Sequence, residues 1–341
     1  MSTVLKNFPV PLVRLRRLRR NPFLRDLLRE TTLTVNDLIF PVFLKTGHGI
    51  KKPIVSMPGH FQWSLDCLDE ILAIVSQNKI PGVILFGVLD PEQKDEYGSQ
   101  ALKEDGLVQS AIRYIKSHAP EILLIADLCF CQYTSHGHCG VITKKENSRN
   151  GLIEIDNDRT LTLLAEQAVS LARAGADMIA PSGMMDGMIA VIRQALDLAS
   201  FQPVALLSYA AKYASAFYGP FADAAHGAPQ FGDRSTHQMD PGNGSRALRE
   251  CALDIQEGAD LLMVKPAGYY LDVIYRIKHA FPGVPLAAYQ VSGEFAMMKA
   301  AVERGCLNEK RVILESLLSI KRAGADFIIT YFAVDAALLL K

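Results

Sequence analysis

RAGADMIAPS at residues 173–182, QEGADLLMVKP at 256–266 and RAGADFIITYF at 322–332 decide the fold. Each phrase joins the end of a helix-like stretch to a short apolar run through Gly-Ala-Asp. Glycine suits the left-handed cap that ends a helix, and the run behind it suits a strand, so one helix-to-strand joint occurs three times. Outward from these joints, apolar runs rich in β-branched and aromatic residues recur at 38–44, 82–88, 123–129, 177–182, 205–212, 261–266, 285–291 and 326–332. Each leads into a longer stretch with helical spacing. Runs that are apolar almost throughout, rather than alternating, fit a parallel sheet buried on both faces. Eight of them with a repeated joint predict an α/β fold, the (β/α)8 TIM barrel. An open Rossmann-like sheet would want a glycine-rich phosphate turn after its first strand, and KTGHGIKKP at 45–53 is not GxGxxG.

The composition agrees. Of 341 residues, 49% are hydrophobic and 21% charged, which excludes disordered and fibrous classes. The length suits about two ordinary domains or one barrel of roughly 250 residues with insertions. Lys plus Arg and Asp plus Glu number 36 each, so the chain lacks the excess cationic charge of a nucleic-acid binder. No run of ~18 uncharged apolar residues occurs, and the nearest, 328–340, is interrupted by Asp335. The first twenty residues contain no uninterrupted apolar segment ahead of their arginines. These readings predict a soluble cytoplasmic protein whose partners are small molecules or other copies of itself, with no nucleic acid and no membrane. Residues 1–30, carrying RLRRLRR at 14–20 and NPFLRDLLRE at 21–30, are expected to be an N-terminal arm with a short amphipathic helix from near Pro22. The barrel is expected over 31–341.

In such a barrel, chemistry sits at the C-terminal ends of the strands. There the chain reads DLCFC at 127–131, SYAAKYA at 208–214, MVKPA at 263–267, YQVSGE at 289–294 and TYFA at 330–333. Lys212 stands near Tyr209, Tyr213, Phe217 and Tyr218, and Lys265 follows Leu-Leu-Met-Val. A lysine in apolar surroundings near a second ammonium favours its neutral amine, which can attack a ketone to form a Schiff base. One such lysine reads as a side chain snorkelling to solvent; two on adjacent strands at the rim read as catalytic.

DLCFCQYTSHGHCG at 127–140 places Cys129, Cys131 and Cys139 as C-x-C-x7-C, with His136 and His138 inside the second spacing. Soft thiolates suit tetrahedral zinc, and three of them leave a fourth position open. Cys67, Cys251 and Cys306 fit small core residues, but packing gives no reason to gather three thiols and two imidazoles on one glycine-containing loop. Six cysteines are too sparse for a disulfide scaffold, which favours a reducing compartment. GPFADAAHGAPQFGDRSTHQMD at 219–240, directly after the Lys212 strand, is long enough to be a lid, and its Arg234 is a candidate clamp for a carboxylate.

DLCFCQYTSHGHCG, SYAAKYASAFYGPF, LMVKPAGYYLD, YQVSGEFAM and IITYF, in this order along the chain, together resemble the porphobilinogen synthase (5-aminolevulinate dehydratase) family, from about residue 14 to the C-terminus. The resemblance implies a TIM barrel with an N-terminal arm, a homo-octamer, and condensation of two 5-aminolevulinate molecules to porphobilinogen, a step of tetrapyrrole (heme) biosynthesis. It implies that Lys212 and Lys265 are the two Schiff-base lysines. Ser292 and Tyr331 would meet the second substrate's carboxylate, and Arg234, with Gln238 close by, the first's. Asp127 would steer proton transfer or the amino group. Cys129, Cys131 and Cys139 match the zinc-dependent branch, and Glu250, in LRECALD, matches a glutamate that holds an activating magnesium away from the active site in some members.

The lid departs from the family pattern. Ala222 replaces the arginine of Gly-Pro-Phe-Arg, Ser235 a second basic residue and His237 a tyrosine. These changes predict weakened binding of the first substrate. They motivate one competing reading, a catalytically weakened relative. Another Schiff-base enzyme such as a class I aldolase would need one lysine and no cysteine trio.

Overall fold

The computed structural model describes residues 13–143 and 154–341. Its chain divides into two compact units, Met1–Thr32 and Leu33–Lys341. In the first, a short 3-10 turn, Leu15–Arg19, precedes a helix over Pro22–Leu27. Proline at the first helical position costs no hydrogen bond, and the Asn21 side chain accepts from the Leu24 N–H at 2.9 Å. Residues 1–12 of the expected arm lie outside the described residues.

The second unit is the barrel. Its strands are β1 (Leu38–Lys45), β2 (Gly82–Val88), β3 (Leu123–Leu128), β4 (Met178–Pro181), β5 (Ala205–Lys212), β6 (Leu261–Lys265), β7 (Leu286–Gln290) and β8 (Phe327–Thr330). Each pairs in parallel with the next, and β8 pairs with β1, so the sheet closes and leaves these eight strands no free edge. All eight expected strands are present, two with the expected ends and the others within two residues of them. A short antiparallel hairpin, Lys51–Pro53 with Phe61–Trp63, continues the sheet beside the end of β1. Between strands run α1 (Leu68–Gln77), α2 (Leu107–His118), α3 (Asn157–Ala174), α4 (Met188–Leu198), α5 (Arg246–Glu257), α6 (Leu271–Ala280), and, after β7, α7 (Ser292–Glu303) and α8 (Glu309–Ala323).

The repeated Gly-Ala-Asp joint has a physical cause for each residue. Gly175, Gly258 and Gly324 cap α3, α5 and α8 in the left-handed region, at φ of 106°, 105° and 119°. The aspartate that follows fastens the start of the neighbouring strand. Asp177 accepts from the Leu124 N–H at 2.8 Å, Asp260 from Leu206 at 2.8 Å and Asp326 from Leu286 at 2.7 Å. The joint therefore ends a helix and sets the pairing of β3 with β4, β5 with β6, and β7 with β8. One departure from strict register occurs near the C-terminal ends of two strands: between Ser208 and Ala211, β5 shifts by one residue against β6.

Candidate active site

The bulge in β5 makes Lys212 the register partner of Lys265. Both side chains are buried at the C-terminal rim. The Lys265 Nζ lies 4.3 Å from the centroid of Tyr289, 5.1 Å from Tyr209 and Phe221, and 5.4 Å from Tyr218. The aromatic surroundings expected for Lys212 thus belong mainly to Lys265. Tyr213 instead stacks on Tyr270, and Phe217 on Tyr269. The Lys212 Nζ donates to the Ser182 carbonyl and lies 5.6 Å from the Tyr209 ring. Burial, and then the Lys212 charge, bring the Lys265 ammonium down to about 7, against the opposing pull of Asp127. At that value much of the amine is neutral near physiological pH. Asp127, at the end of β3, is itself buried, which pushes its carboxyl up while both lysines pull it back; Gln132 donates to it at 3.3 Å.

Cys129, Cys131 and Cys139 are buried together, their sulfurs within 4.8 Å of one another. The Cys129 and Cys131 sulfurs are 3.4 Å apart. Tetrahedral zinc with Zn–S near 2.3 Å needs sulfurs roughly 3.8 Å apart, so the trio fits one such ion with little movement. Without a cation, mutual contact and burial hold the thiols at about 12, 11 and 11 respectively. The two loop histidines are otherwise engaged. A ring nitrogen of His136 bonds the Glu96 carbonyl and one of His138 the Phe231 carbonyl.

The expected lid, residues 219–240, contributes Phe221, Ala222 and Arg234 to the lining around the lysines. Its first residues form a helix, Gly219–Ala224, where a loop was expected, because Pro220 starts a turn at no hydrogen-bond cost. Ser56 donates to Asp223 at 2.7 Å and Gln62 to the Ala224 carbonyl at 2.7 Å, fastening the helix to the segment after β1. The Phe221 N–H donates to the Ser292 Oγ at 2.9 Å. Arg234 reaches back to the Gly137 and Gly227 carbonyls at 3.1 and 2.6 Å, and its buried Nε has no partner among the described residues. Ala222, Arg234, Phe221 and Tyr218 join Asp127, Cys131 and both lysines around a cavity of about 30 Å³, room for roughly one or two waters. Tyr331, directly after β8, shares a 3.1 Å hydrogen bond with Tyr289.

Gln238 and Glu250 line a different cavity, of about 400 Å³, together with Asp186, Asp240, Arg246 and His237. The strip of lid up to Met239, whose N–H donates to the Lys212 carbonyl at 2.9 Å, lies against the β5 end. The Gln238 Nε2 is buried without a partner among the described residues. Burial and Asp186 push the Glu250 carboxyl up. Burial, and then Lys212 and Arg234, bring His237 down to about 3, so its imidazole is neutral.

Two participants escaped the sequence reading. Tyr289 was visible as an aromatic residue on a strand, but nothing local to it indicates that it meets Lys265. Glu294 stands in YQVSGE, in the first turn of the helix that follows β7. It is buried, burial raises its carboxyl to about 7, and it bonds backbone on two separate loops. A carboxylate directly behind a strand end was the available signal.

A family model described as Delta-aminolevulinic acid dehydratase matches residues 12–339. The chain is 54% identical over 323 residues to the Delta-aminolevulinic acid dehydratase of Halalkalibacterium halodurans, covering 94% of this chain and 95% of that one. It is 53% identical over 327 residues to the enzyme of that name from Synechocystis, covering 96% and 98%. Among solved structures, the delta-aminolevulinic acid dehydratase (porphobilinogen synthase) of Toxoplasma gondii in complex with the reaction product porphobilinogen superposes with a TM-score of 0.92 at 42% identity, over 97% of this chain and 92% of that one.

Proposed function

The chain belongs to the delta-aminolevulinic acid dehydratase family, and on that premise we infer that Lys212 and Lys265 are the amines on which it condenses two 5-aminolevulinate molecules to porphobilinogen. The reaction is a step of tetrapyrrole synthesis. The observation that carries the assignment is the register pairing of the two lysines in one enclosed cavity.

Joining two amino-ketones with loss of two waters requires each ketone to be activated and one substrate amine to act as nucleophile. A neutral lysine attacks each ketone carbon and, with loss of water, forms a protonated imine, which serves as an electrophile or loses a carbon-bound proton to give an enamine. Lys265 suits this at neutral pH because burial brings its ammonium down to about 7, leaving a substantial share of the amine unprotonated. Asp127, held between the two amines, is placed to accept and return protons. The Ser292 Oγ accepts from the Phe221 N–H and keeps its own hydrogen for a carboxylate, and the Tyr331 hydroxyl stands beside Tyr289 at the wall of the Lys265 cage. These two therefore serve the molecule held on Lys265. Arg234, on the lid that follows the Lys212 strand, serves the other, with Gln238 at the border of the neighbouring cavity. Closure over a cavity this small excludes bulk water, and entry of two substrates requires the lid to lift.

The trio Cys129, Cys131 and Cys139 would hold zinc, whose chemistry when bound is to favour the unprotonated form of a substrate amine or water beside it. Glu250, among acidic neighbours in its separate cavity, is the candidate for magnesium. A homo-octamer rests on the resemblance, and the expected cytoplasmic location on the lack of a long uncharged apolar run in the sequence; no described helix is long and apolar enough to cross a membrane. Ala222 on the lysine cavity favours a second reading within the same chemistry, a site weakened toward its first substrate. Incubation with 5-aminolevulinate and assay for porphobilinogen tests the activity. Borohydride trapping with peptide mapping tests the lysines, and absence of an adduct on both would sink the Schiff-base assignment.

A further inference from the structure

Glu294 is 3% exposed, and the chemistry above makes no use of it. Its Oε2 accepts from the Val291 N–H at 2.7 Å, and its Oε1 from the Gly268 N–H at 2.6 Å. Val291 immediately precedes Ser292, and Gly268 lies three residues beyond Lys265. One carboxylate thus spans the two segments that leave β6 and β7, the first bearing the amine and the second the hydroxyl. The contact is close on the Gly268 side, where a Cβ would stand 2.5 Å from Oε1. A glutamate at the third position of a helix commonly caps that helix alone, and here the bond to Val291 does so. The bond to Gly268 leaves the helix and is not needed for the cap.

We propose that Glu294 is a positioning residue that fixes the spacing between the Lys265 amine and the Ser292 hydroxyl, and so the distance between ketone and carboxylate in the keto acid the site accepts. The inference rests on the reading that Lys265 and Ser292 hold the two ends of one substrate molecule. The carboxyl group is rigid, and the two hydrogen bonds its two oxygens accept, from the Val291 and Gly268 N–H groups, hold both backbones against relative sliding. A small displacement between the two ends of a bound molecule is enough to misplace its reacting carbon.

The experiment uses the full chain and three ketones trapped by borohydride, with adducts mapped to Lys265. They are 4-oxopentanoate, which has the substrate's spacing; 5-oxohexanoate, one methylene longer; and 2-pentanone, which has no carboxylate. The parent should trap 4-oxopentanoate at least tenfold more efficiently than 5-oxohexanoate. Glu294→Gln keeps the shape but loses one acceptor, and should cut that preference at least fivefold while changing 2-pentanone trapping less than twofold. Ser292→Ala serves as the control. If it leaves 4-oxopentanoate trapping unchanged, the pairing of Lys265 with Ser292 fails and the inference falls with it. If it weakens trapping but Glu294→Gln alters all three ketones alike or none, Glu294 is only a helix cap and the inference alone is overturned. Glu294→Asp, which keeps the charge but cannot reach both loops, replaces the glutamine variant if that does not fold. A parent that does not discriminate between the two acids also overturns the proposal.

Discussion

Lys212 and Lys265 are register partners on neighbouring parallel strands because β5 carries one residue more than β6 between Ser208 and Ala211. With the pairing seen earlier in the same strands, Leu207 with Leu261 and Ser208 with Leu262, Lys265 would meet Ala211 instead. Tyr209 lies in the shifted stretch, and its ring faces both amines.

The first prediction concerns pH. Because Lys265 titrates near 7, its trapping by borohydride with 4-oxopentanoate should rise as pH increases through about 7 and level off above. After burial, the Lys212 charge is the next cause of that depression. Lys212→Met removes a like charge, so the Lys265 ammonium becomes less unfavourable and its midpoint moves to higher pH. A trapping profile with the same midpoint in both proteins would show that the two amines do not interact.

Metal binding should release protons. The three thiols, at about 12, 11 and 11, are protonated at neutral pH, whereas thiolates ligate zinc. Zinc titrations followed calorimetrically in buffers of different ionisation enthalpy should report roughly two to three protons released per ion. Chelation should abolish porphobilinogen formation, with zinc restoring it better than magnesium. Full activity of a metal-free sample with reduced thiols would refute this.

Ala222 places a methyl group where the lysine cavity meets the lid, leaving Arg234 as the guanidinium on the lining. One missing charge-assisted hydrogen bond costs about 1.5 to 3 kcal/mol, or roughly 10- to 150-fold in affinity. Ala222→Arg should therefore lower the KM of the weaker substrate site at least tenfold. A rate curve matching the parent's over a wide range of 5-aminolevulinate would show that Ala222 is no defect.

Assembly should depend on the arm. Val13, Leu15 and Leu18 are exposed apolar side chains interleaved with arginines, a pattern suited to burial against another copy. Deleting residues 2–20 should lower the sedimentation coefficient of the assembly by more than the lost mass accounts for. An unchanged state of association would make the segment a solvated tail.

Much of the barrel was legible because each strand is buried on both faces, so its residues form an unbroken apolar run that identifies it without reference to any neighbour. The Gly-Ala-Asp joints were legible for a similar local reason, since the left-handed cap requires glycine. What the aspartates do was not, because their partners Leu124, Leu206 and Leu286 are 40 to 54 residues away. Cys129, Cys131 and Cys139 could be read as one cluster because a single short loop carries all three.

The sequence by itself determined the number and approximate bounds of the barrel strands, the thiol cluster and the presence of two rim lysines, all properties set by a residue and its near neighbours along the chain. Tertiary structure alone decided that β5 bulges to align those lysines, that Tyr218, Phe221 and Tyr289 gather around Lys265 while Tyr209 faces both amines, and that Glu294 ties two loops together. It also placed Gln238 with Glu250, across the lid from the lysine cavity. The reason is that these relationships depend on register and closure. A one-residue slip between strands leaves composition and periodicity untouched, yet it moves a side chain by about 3.3 Å and turns it to the other face of the sheet.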